Sequence, residues 1–149
     1  MAAESTKPRP AGRVLPHNVQ AEQSVLGSAM SGERQLAEIT ALLKTEDFYQ
    51  PDHRLVYDAI CELSLSSKPV DILTVSDLLE SKALLDKAGG IAYISGLPDA
   101  IPVMANAMHY ADIVRQKSLL RRLLAAMEEV TGLCYDDANE ADILLDVAA

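Results

Sequence analysis

Apolar side chains along this sequence recur at helical spacing, in segments that are separated by proline or glycine. The clearest short segment is 52–65, where apolar residues three and four positions apart form one face. The same spacing predicts helices at 15–30 and 33–43, and another that begins at Thr74. Residues 91–97 fit one or two helical turns, although their composition would also suit a short strand. The pattern as a whole predicts an all-α protein.

Polar residues at the predicted helix starts support this assignment. Asn18 is a good N-cap for the first helix. Thr74 is predicted to cap a later helix with Asp77 as its reciprocal partner, and Asp137 with Glu140 can cap the last one.

The longest segment, 104–134, contains no proline and a single glycine, Gly132. Roughly thirty residues without a helix breaker predict one long helix. Its apolar residues follow a seven-residue repeat, which favours packing against another helix, either in the same core or in a second chain. One column of the repeat consists of Ile113, Leu120, Met127 and Cys134, and the second runs from the polar Gln116 through Leu123 to Val130.

A polar turn at 135–138 separates this helix from a last amphipathic pattern that is still running at Ala149. The two helices are predicted to form an antiparallel hairpin, and the interrupted pattern suggests a piece of a longer protein. The returning helix is too short to cover the long one, so we expect self-association through an apolar surface. We call this surface the seam, and it consists of Leu120, Leu123, Leu124, Met127 and Val130.

The predictions divide the chain into a disordered tail at 1–14, a globular helical head at 15–102 and a helical hairpin at 103–149. The tail is polar, punctuated by proline and without periodicity, which is typical of disorder. The second helix of the hairpin reaches the chain end.

Composition and charge narrow the function. Apolar residues make up 49% of the chain and only one Phe and five Tyr are present, so the expected core is aliphatic. The net charge of −9 argues against tight DNA binding, which requires clustered Lys and Arg. No apolar run approaches the roughly twenty residues of a membrane span, and no secretory signal is recognisable, so a cytoplasmic location is expected. Cys61 and Cys134 are predicted to be buried thiols, with a disulfide between them left open.

No motif predicts a catalytic site, a metal or a cofactor in this chain. His17, His53 and His109 are never three or four residues from one another, so no helix presents a metal-binding pair. A glycine-rich phosphate loop is also missing from the sequence.

Glu22 interrupts an otherwise apolar helix face. A buried carboxylate needs a fixed partner, because leaving it unpaired costs several kcal/mol. We expect His53 or Arg54 to be that partner, in a structural role. The alternative is a small helical enzyme that uses Glu22, Asp52 and His53, with the acids at 46–47 nearby; few convergent groups accompany it.

One basic cluster lies on the long helix. It is expected to be a solvated flank that offsets the acids of the hairpin rather than a nucleic-acid site, since no aromatic side chain interleaves it. Its members are Arg115, Lys117, Arg121 and Arg122, and the acids are residues such as Glu128, Glu129 and Asp142.

Five sequence blocks occur in an order that resembles a known family. The blocks are LPHNVQAEQSVLG, EDFYQPDHRLVYDAI, PVDILTVSDLLES, GGIAYISGL and YADIVRQKSLLRRL, and they cover nearly all of 15–124. Together they resemble the amino-terminal domain of the bacterial replicative DNA helicase, the DnaB family. The first two blocks are specific, whereas the others are helix patterns.

The resemblance implies a helical head and hairpin that precede a RecA-like ATPase motor. In the family these domains form a collar, pair through their hairpins as a trimer of dimers in the hexamer, and recruit primase. The motor, which holds ATP and Mg²⁺, is not expected in this chain, and neither are ATP hydrolysis and DNA unwinding. The sequence at 101–104 departs from the family, which leaves the start of the long helix open. The helicase-binding domain of primase is the closest alternative, and the first two blocks argue against it.

The resemblance also implies a docking surface for the carboxy-terminal domain of primase. Arg115 and Gln116 precede the leucine-rich part of the long helix, and Tyr93 is expected beside them at the junction of head and hairpin. Tyr and Arg are enriched among residues that dominate interface energies. The alternative is that Tyr93 is a core residue and Arg115 a solvated charge.

Overall fold

The computed structural model describes residues 13–102, 106–136 and 139–149, and within these ranges every regular element is helical. The predicted all-α class is confirmed, and residues 91–97 lie in helical turns rather than in a strand. The α-helices are α1 (Val19–Ala29), α2 (Glu33–Leu42), α3 (Pro51–Leu65), α4 (Ile72–Ser81), α5 (Gly90–Gly96), α6 (Ala107–Cys134) and α7 (Ala141–Ala148). Short 3-10 helices occur at Thr45–Asp47 and Leu97–Ala100.

The helix caps agree with the sequence at one predicted start and differ at another. The Asn18 side chain accepts a hydrogen bond from the Ala21 N–H at 3.0 Å, as predicted for α1. The cap of α4 is Asp71 rather than Thr74, because Asp71 accepts from the Thr74 N–H at 2.9 Å and Thr74 Oγ1 accepts in return from the Asp71 N–H. Asp71 is an equally good N-cap type, and it lets Ile72 join the helix.

The predicted starts of the two hairpin helices fall partly outside the described residues. The α6 helix begins at Ala107 with Asn106 as its N-cap, and Met104 lies outside the described ranges. Glu140 is the N-cap residue of α7 without a side-chain hydrogen bond, and Asp137 lies outside these ranges, as does the predicted tail up to residue 12.

The core lies between helices α1 to α5 and the first half of α6, and it is largely aliphatic. Phe48 and Tyr57 are its main aromatic pair, with ring centroids 4.6 Å apart, and the Tyr57 hydroxyl donates to the Leu43 carbonyl at 2.8 Å. The remaining fully buried large apolar residues include Val25, Leu26, Ile39, Val56, Ile60, Leu79, Ile94 and Leu97. The head therefore buries most of its apolar side chains within one cluster.

The two cysteines differ from their predicted environment. Cys61 is half-buried against the core, whereas Cys134 is exposed at the end of α6, and both thiols are free. The seven-residue repeat predicts burial of Cys134, but that column faces away from the head. Among the described helices, none combines the length and apolar character that crossing a bilayer requires.

Gly27 fixes the closest approach between α1 and the 3-10 helix Leu97–Ala100. A Cβ atom at this position would lie 2.3 Å from the Leu97 carbonyl oxygen and 3.0 Å from the Pro98 Cα. Both are backbone atoms, so the two elements would have to separate. The glycine is required here for packing distance.

Gly27→Ala is expected to lower the free energy of unfolding by about 2 kcal/mol, because overpacking forces backbone shifts. Urea denaturation of the 149-residue chain measures this. Gly132→Ala is the matched control, since a Cβ there meets nothing within 4 Å and alanine favours a helix interior, so stability should rise. A Gly27→Ala chain as stable as wild type would contradict the close packing.

Candidate functional site

One side of the α6 helix packs against the head, and the opposite side faces away from it. Ala111, Val114 and Ser118 are buried against the head. At 100° per residue, Leu120 and Leu123 lie roughly half a turn around the helix from these positions. The seam therefore faces away from the head.

The seam is exposed over much of its length. Leu120, Leu123 and Met127 are 44%, 56% and 41% exposed, although large apolar side chains gain stability from burial. Leu124 and Val130 are half-buried. The α7 helix packs against α6 and buries Leu144, but Ile143, Leu145 and Val147 of α7 are themselves more than half exposed. Both helices of the hairpin thus carry exposed apolar side chains.

Glu22 lies at the centre of a buried hydrogen-bond network that joins α1, α3 and α5. Its Oε1 is 2.8 Å from His53 Nδ1, and its two oxygens accept from the Tyr49 N–H at 2.8 Å and the Gln50 N–H at 3.3 Å. His53 Nε2 lies 2.6 Å from the Tyr93 hydroxyl, to which the Gln23 amide donates at 3.0 Å. We call Glu22, His53, Tyr93 and Gln23 the Glu22 network.

A single arrangement of protons satisfies this network with a neutral imidazole. Gln23 donates to the Tyr93 oxygen, the Tyr93 hydroxyl donates to His53 Nε2, and His53 Nδ1–H donates to Glu22. Burial raises the pKa of the Tyr93 hydroxyl, which keeps it protonated as a donor. Both ring nitrogens are occupied and the side chain is fully buried, so His53 has no access to a substrate.

The structure separates Arg54 and Asp52 from this network. Arg54 Nε donates to the Phe48 carbonyl at 2.6 Å, so His53 and not Arg54 contacts Glu22. The Asp52 side chain accepts from the His53 backbone N–H at 2.9 Å, at the first turn of α3. Within the described ranges no three His, Cys, Asp or Glu residues are grouped as metal ligands would be.

Glu22→Ala is expected to lower the melting temperature and to reduce the free energy of unfolding by about 2 kcal/mol. The change leaves two backbone N–H groups and the His53 donor without their acceptor in a buried site. Thermal and urea denaturation measure the loss, with Glu38→Ala on the exposed face of α2 as the control. An unchanged melting temperature would count against the structural role.

A second buried acid, Asp47, is not singled out by the sequence. Asp47 Oδ1 accepts from Ser118 at 2.7 Å, from Arg115 at 3.1 Å and from Arg122 at 3.2 Å, and Oδ2 accepts from the Lys44 N–H at 2.8 Å. Burial alone would raise the pKa of this carboxyl, but these donors outweigh burial and hold the pKa below its ordinary value. We call Asp47, Arg115, Ser118 and Arg122 the Asp47 cluster.

The Asp47 cluster corrects the interpretation of the basic residues on α6. Arg115 and Arg122 contact the head instead of offsetting the hairpin acids, and Arg121 donates to the Asp47 and Pro16 carbonyls at 2.7 and 2.8 Å. The sequence carries one usable signal, because Arg115, Ser118 and Arg122 have helical spacing and continue the buried side of α6.

The residues predicted to contact primase are held by different groups. Arg115 is half-buried in the Asp47 cluster, and the Tyr93 hydroxyl belongs to the Glu22 network. Both side chains are partly buried and fixed by these contacts, and their role in primase contact stays a prediction. Gln116 is exposed on α6.

Head, hairpin and exposed seam define a helical head-and-hairpin domain. A profile of the "DnaB-like helicase N terminal domain" family matches residues 14–116, and the chain therefore belongs to this family. The predicted family resemblance is confirmed. Membership of the helicase family sets aside the alternative of a primase domain.

Curated relatives support the assignment. The replicative DNA helicase DnaB of Leifsonia xyli subsp. xyli is 39% identical over 137 residues, which are 92% of this chain and 30% of the relative. The DnaB of Mycobacterium leprae is 41% identical over 132 residues, 89% of this chain and 22% of the relative. This chain thus spans less than a third of the length of these helicases, and the family model that it matches is that of their N-terminal domain.

Solved structures show the same fold. The crystal structure of the N-terminal domain of DnaB helicase from Mycobacterium tuberculosis has a TM-score of 0.82 and 37% identity, covering 91% of this chain and 95% of that one. The N-terminal domain of DnaB helicase from Helicobacter pylori, described together with its interactions with primase, has a TM-score of 0.64 over 78% of this chain and 91% of that one. Its 18% identity supports the fold alone.

Proposed function

We propose that this domain mediates assembly of a replicative DNA helicase and recruits primase during DNA replication, without catalysis of its own. ATP and Mg²⁺ are assigned to the motor domain of the full helicase, which works in the cytoplasm at the replication fork. The exposed seam on α6 is the observation that carries the proposal.

The seam fits pairing with a second copy of the hairpin. Leu120, Leu123 and Met127 together offer enough apolar area for several kcal/mol of burial, which corresponds to roughly micromolar association. The same surface on two copies is self-complementary under twofold symmetry. Paired hairpins would then assemble as a trimer of dimers in the hexamer of the full helicase.

The second part of the proposal is a docking surface for the carboxy-terminal domain of primase. Two matched structures are of relatives described with their interactions with primase, at 21% and 18% identity. In this chain the surface is proposed at Tyr93, Arg115 and Gln116. Since Tyr93 and Arg115 are held in place by His53 and Asp47, their exposed parts would be pre-organised for a partner.

Titration calorimetry with the cognate primase domain tests the docking surface. Tyr93→Ala, Arg115→Glu and Gln116→Ala are each expected to weaken binding by about tenfold, the loss of one interface contact. Tyr93→Phe keeps the ring and removes only the hydroxyl that His53 uses, so it separates binding from stability. Melting temperatures and light scattering are recorded for each variant.

The outcomes show whether these residues contact primase or only stabilise the domain. Wild-type chain that gives no heat at tens of micromolar would show that this domain is not a sufficient platform. Normal binding by all three variants would place the platform elsewhere. Arg115→Glu is expected to lose stability as well, because it breaks the Asp47 cluster.

A further inference from the structure

A cleft of about 360 Å³ lies where the start of α3 meets the head-facing side of α6. Three guanidinium groups line it, those of Arg54, Arg121 and Arg122. Ser118 forms part of the wall, and the exposed Glu46 also lines the cleft. A basic cleft of this kind is unusual in a chain with a net charge of −9.

The positive charge of this cleft is only partly neutralised. Arg122 shares the single carboxylate of Asp47 with Arg115. Arg54 and Arg121 donate to main-chain carbonyls, which satisfy hydrogen bonds but carry no net charge. Within the described ranges, neither Arg54 nor Arg121 lies within 4.0 Å of a carboxylate oxygen.

The Arg121 side chain is partly buried and lies among charges of both signs. Burial has the largest influence on Arg121 and lowers its pKa; the charge of Glu22 raises the pKa, the charge of Arg54 lowers it, and Asp47 raises it again. Glu22 is already engaged with His53 and two backbone N–H groups. An added anion in the cleft would relieve the repulsion between Arg54 and Arg121.

Hydrogen-bond donors remain for such an anion. Arg54 uses only Nε and Arg122 only one terminal nitrogen in contacts with the described residues. Both side chains reach solvent, so their planar forks can bind two oxygens at once. Around the cleft, four arginines (Arg54, Arg115, Arg121 and Arg122) outnumber the three nearby carboxylates of Glu22, Glu46 and Asp47, so an oxyanion would balance the remaining positive charge.

We infer that this cleft binds a phosphate-type oxyanion, either inorganic phosphate and pyrophosphate or the phosphate groups of a free nucleotide, with Arg54 and Arg122 as its ligands. The anion would bridge α3 and α6 and stabilise the docking of the hairpin helix on the head. This inference does not depend on self-association or on primase binding.

Titration calorimetry and thermal melting of the 149-residue chain with sodium pyrophosphate test the site. Sodium chloride at matched ionic strength is the comparator, and separate arms use inorganic phosphate and magnesium-free ATP. Pyrophosphate is expected to release binding heat and to raise the melting temperature. Similar affinity for ATP and pyrophosphate would show that phosphate groups alone suffice as the ligand.

Arg54→Gln is expected to weaken pyrophosphate binding about tenfold, because it removes one pair of charge-assisted hydrogen bonds from a guanidinium group. Arg34→Gln on the exposed face of α2 is the matched control and should bind as wild type does. Arg54→Lys keeps the positive charge but lacks the planar guanidinium group, so it should bind pyrophosphate with intermediate affinity. This variant keeps the test valid if Arg54→Gln folds poorly.

Three results would overturn the inference. The first is no binding heat at millimolar pyrophosphate. The second is a melting shift that sodium chloride reproduces or that Arg34→Gln loses equally. The third is Arg54-dependent binding of a single-stranded oligonucleotide that is tighter than that of pyrophosphate, which would overturn the assignment to a small anion.

Discussion

Asp47→Ala is expected to lower the free energy of unfolding by about 3 kcal/mol and to loosen α6 from the head. The substitution removes a fully buried carboxylate that accepts from Lys44, Ser118, Arg115 and Arg122. Removing one partner of a buried ion pair costs more than the pair contributes, because the other charges lose their counterion. The loss stays below that of a fully buried pair, since Arg115 and Arg122 reach solvent.

Urea denaturation measures the loss, and hydrogen exchange shows whether the amides of α6 lose protection before those of α3. Asp58→Ala is the matched control, because Asp58 is exposed and accepts a single hydrogen bond from Thr45. Asp47→Asn keeps the size of the side chain and isolates the charge. Equal stability of the Asp47→Ala and Asp58→Ala chains would refute the role of the cluster.

The Asp47 cluster also predicts an acid dependence. Its donors hold the pKa of Asp47 in the folded chain below the ordinary value of 3.8 that applies when the chain is unfolded. The stabilisation is therefore fully present above about pH 4 and is lost as pH falls through the lower folded pKa. The stability difference between wild type and Asp47→Asn should shrink in that acid range and stay constant near neutrality.

The parts of the fold that follow from local pattern could be predicted from the sequence. The apolar face of α3, the Asn18 cap and the long helix depend on residues close together in the chain. The sequence favours Thr74 as the cap of α4, but Asp71 and Thr74 are both good caps, and the choice depends on whether Ile72 packs inside the helix. Local sequence alone does not settle that choice.

Contacts between distant segments were harder to predict. Glu22 could be recognised as needing a partner, but whether His53 or Arg54 supplied it depended on which side of α3 faces α1. Asp47 lies in a polar segment and gave no periodic signal, while its partners on α6 are about seventy residues away. The heptad columns predicted the apolar seam, but the head-facing side of α6 was not recognised, because its Arg115 and Arg122 were expected to be solvated.

Leu123→Glu is expected to weaken self-association by roughly a hundredfold. Leu123 is 56% exposed in the single chain, so pairing can bury it at the centre of the seam. The substitution removes about 2 kcal/mol of apolar burial and places a charge where desolvation is costly. Because the side chain lies on the side of α6 that faces away from the head, the fold of each chain should be unaffected.

Light scattering across a concentration series measures the change in the monomer–dimer equilibrium. Leu73→Glu is the matched control: Leu73 is 74% exposed in the first turn of α4, away from the seam, where a glutamate suits the helix amino terminus. We expect this control to associate as wild type does and both variants to melt as wild type does. A wild-type chain that stays monomeric at high concentration would remove the basis for hairpin pairing. Dimerisation of Leu123→Glu at wild-type strength would instead move the interface to another surface, such as the exposed apolar side of α7.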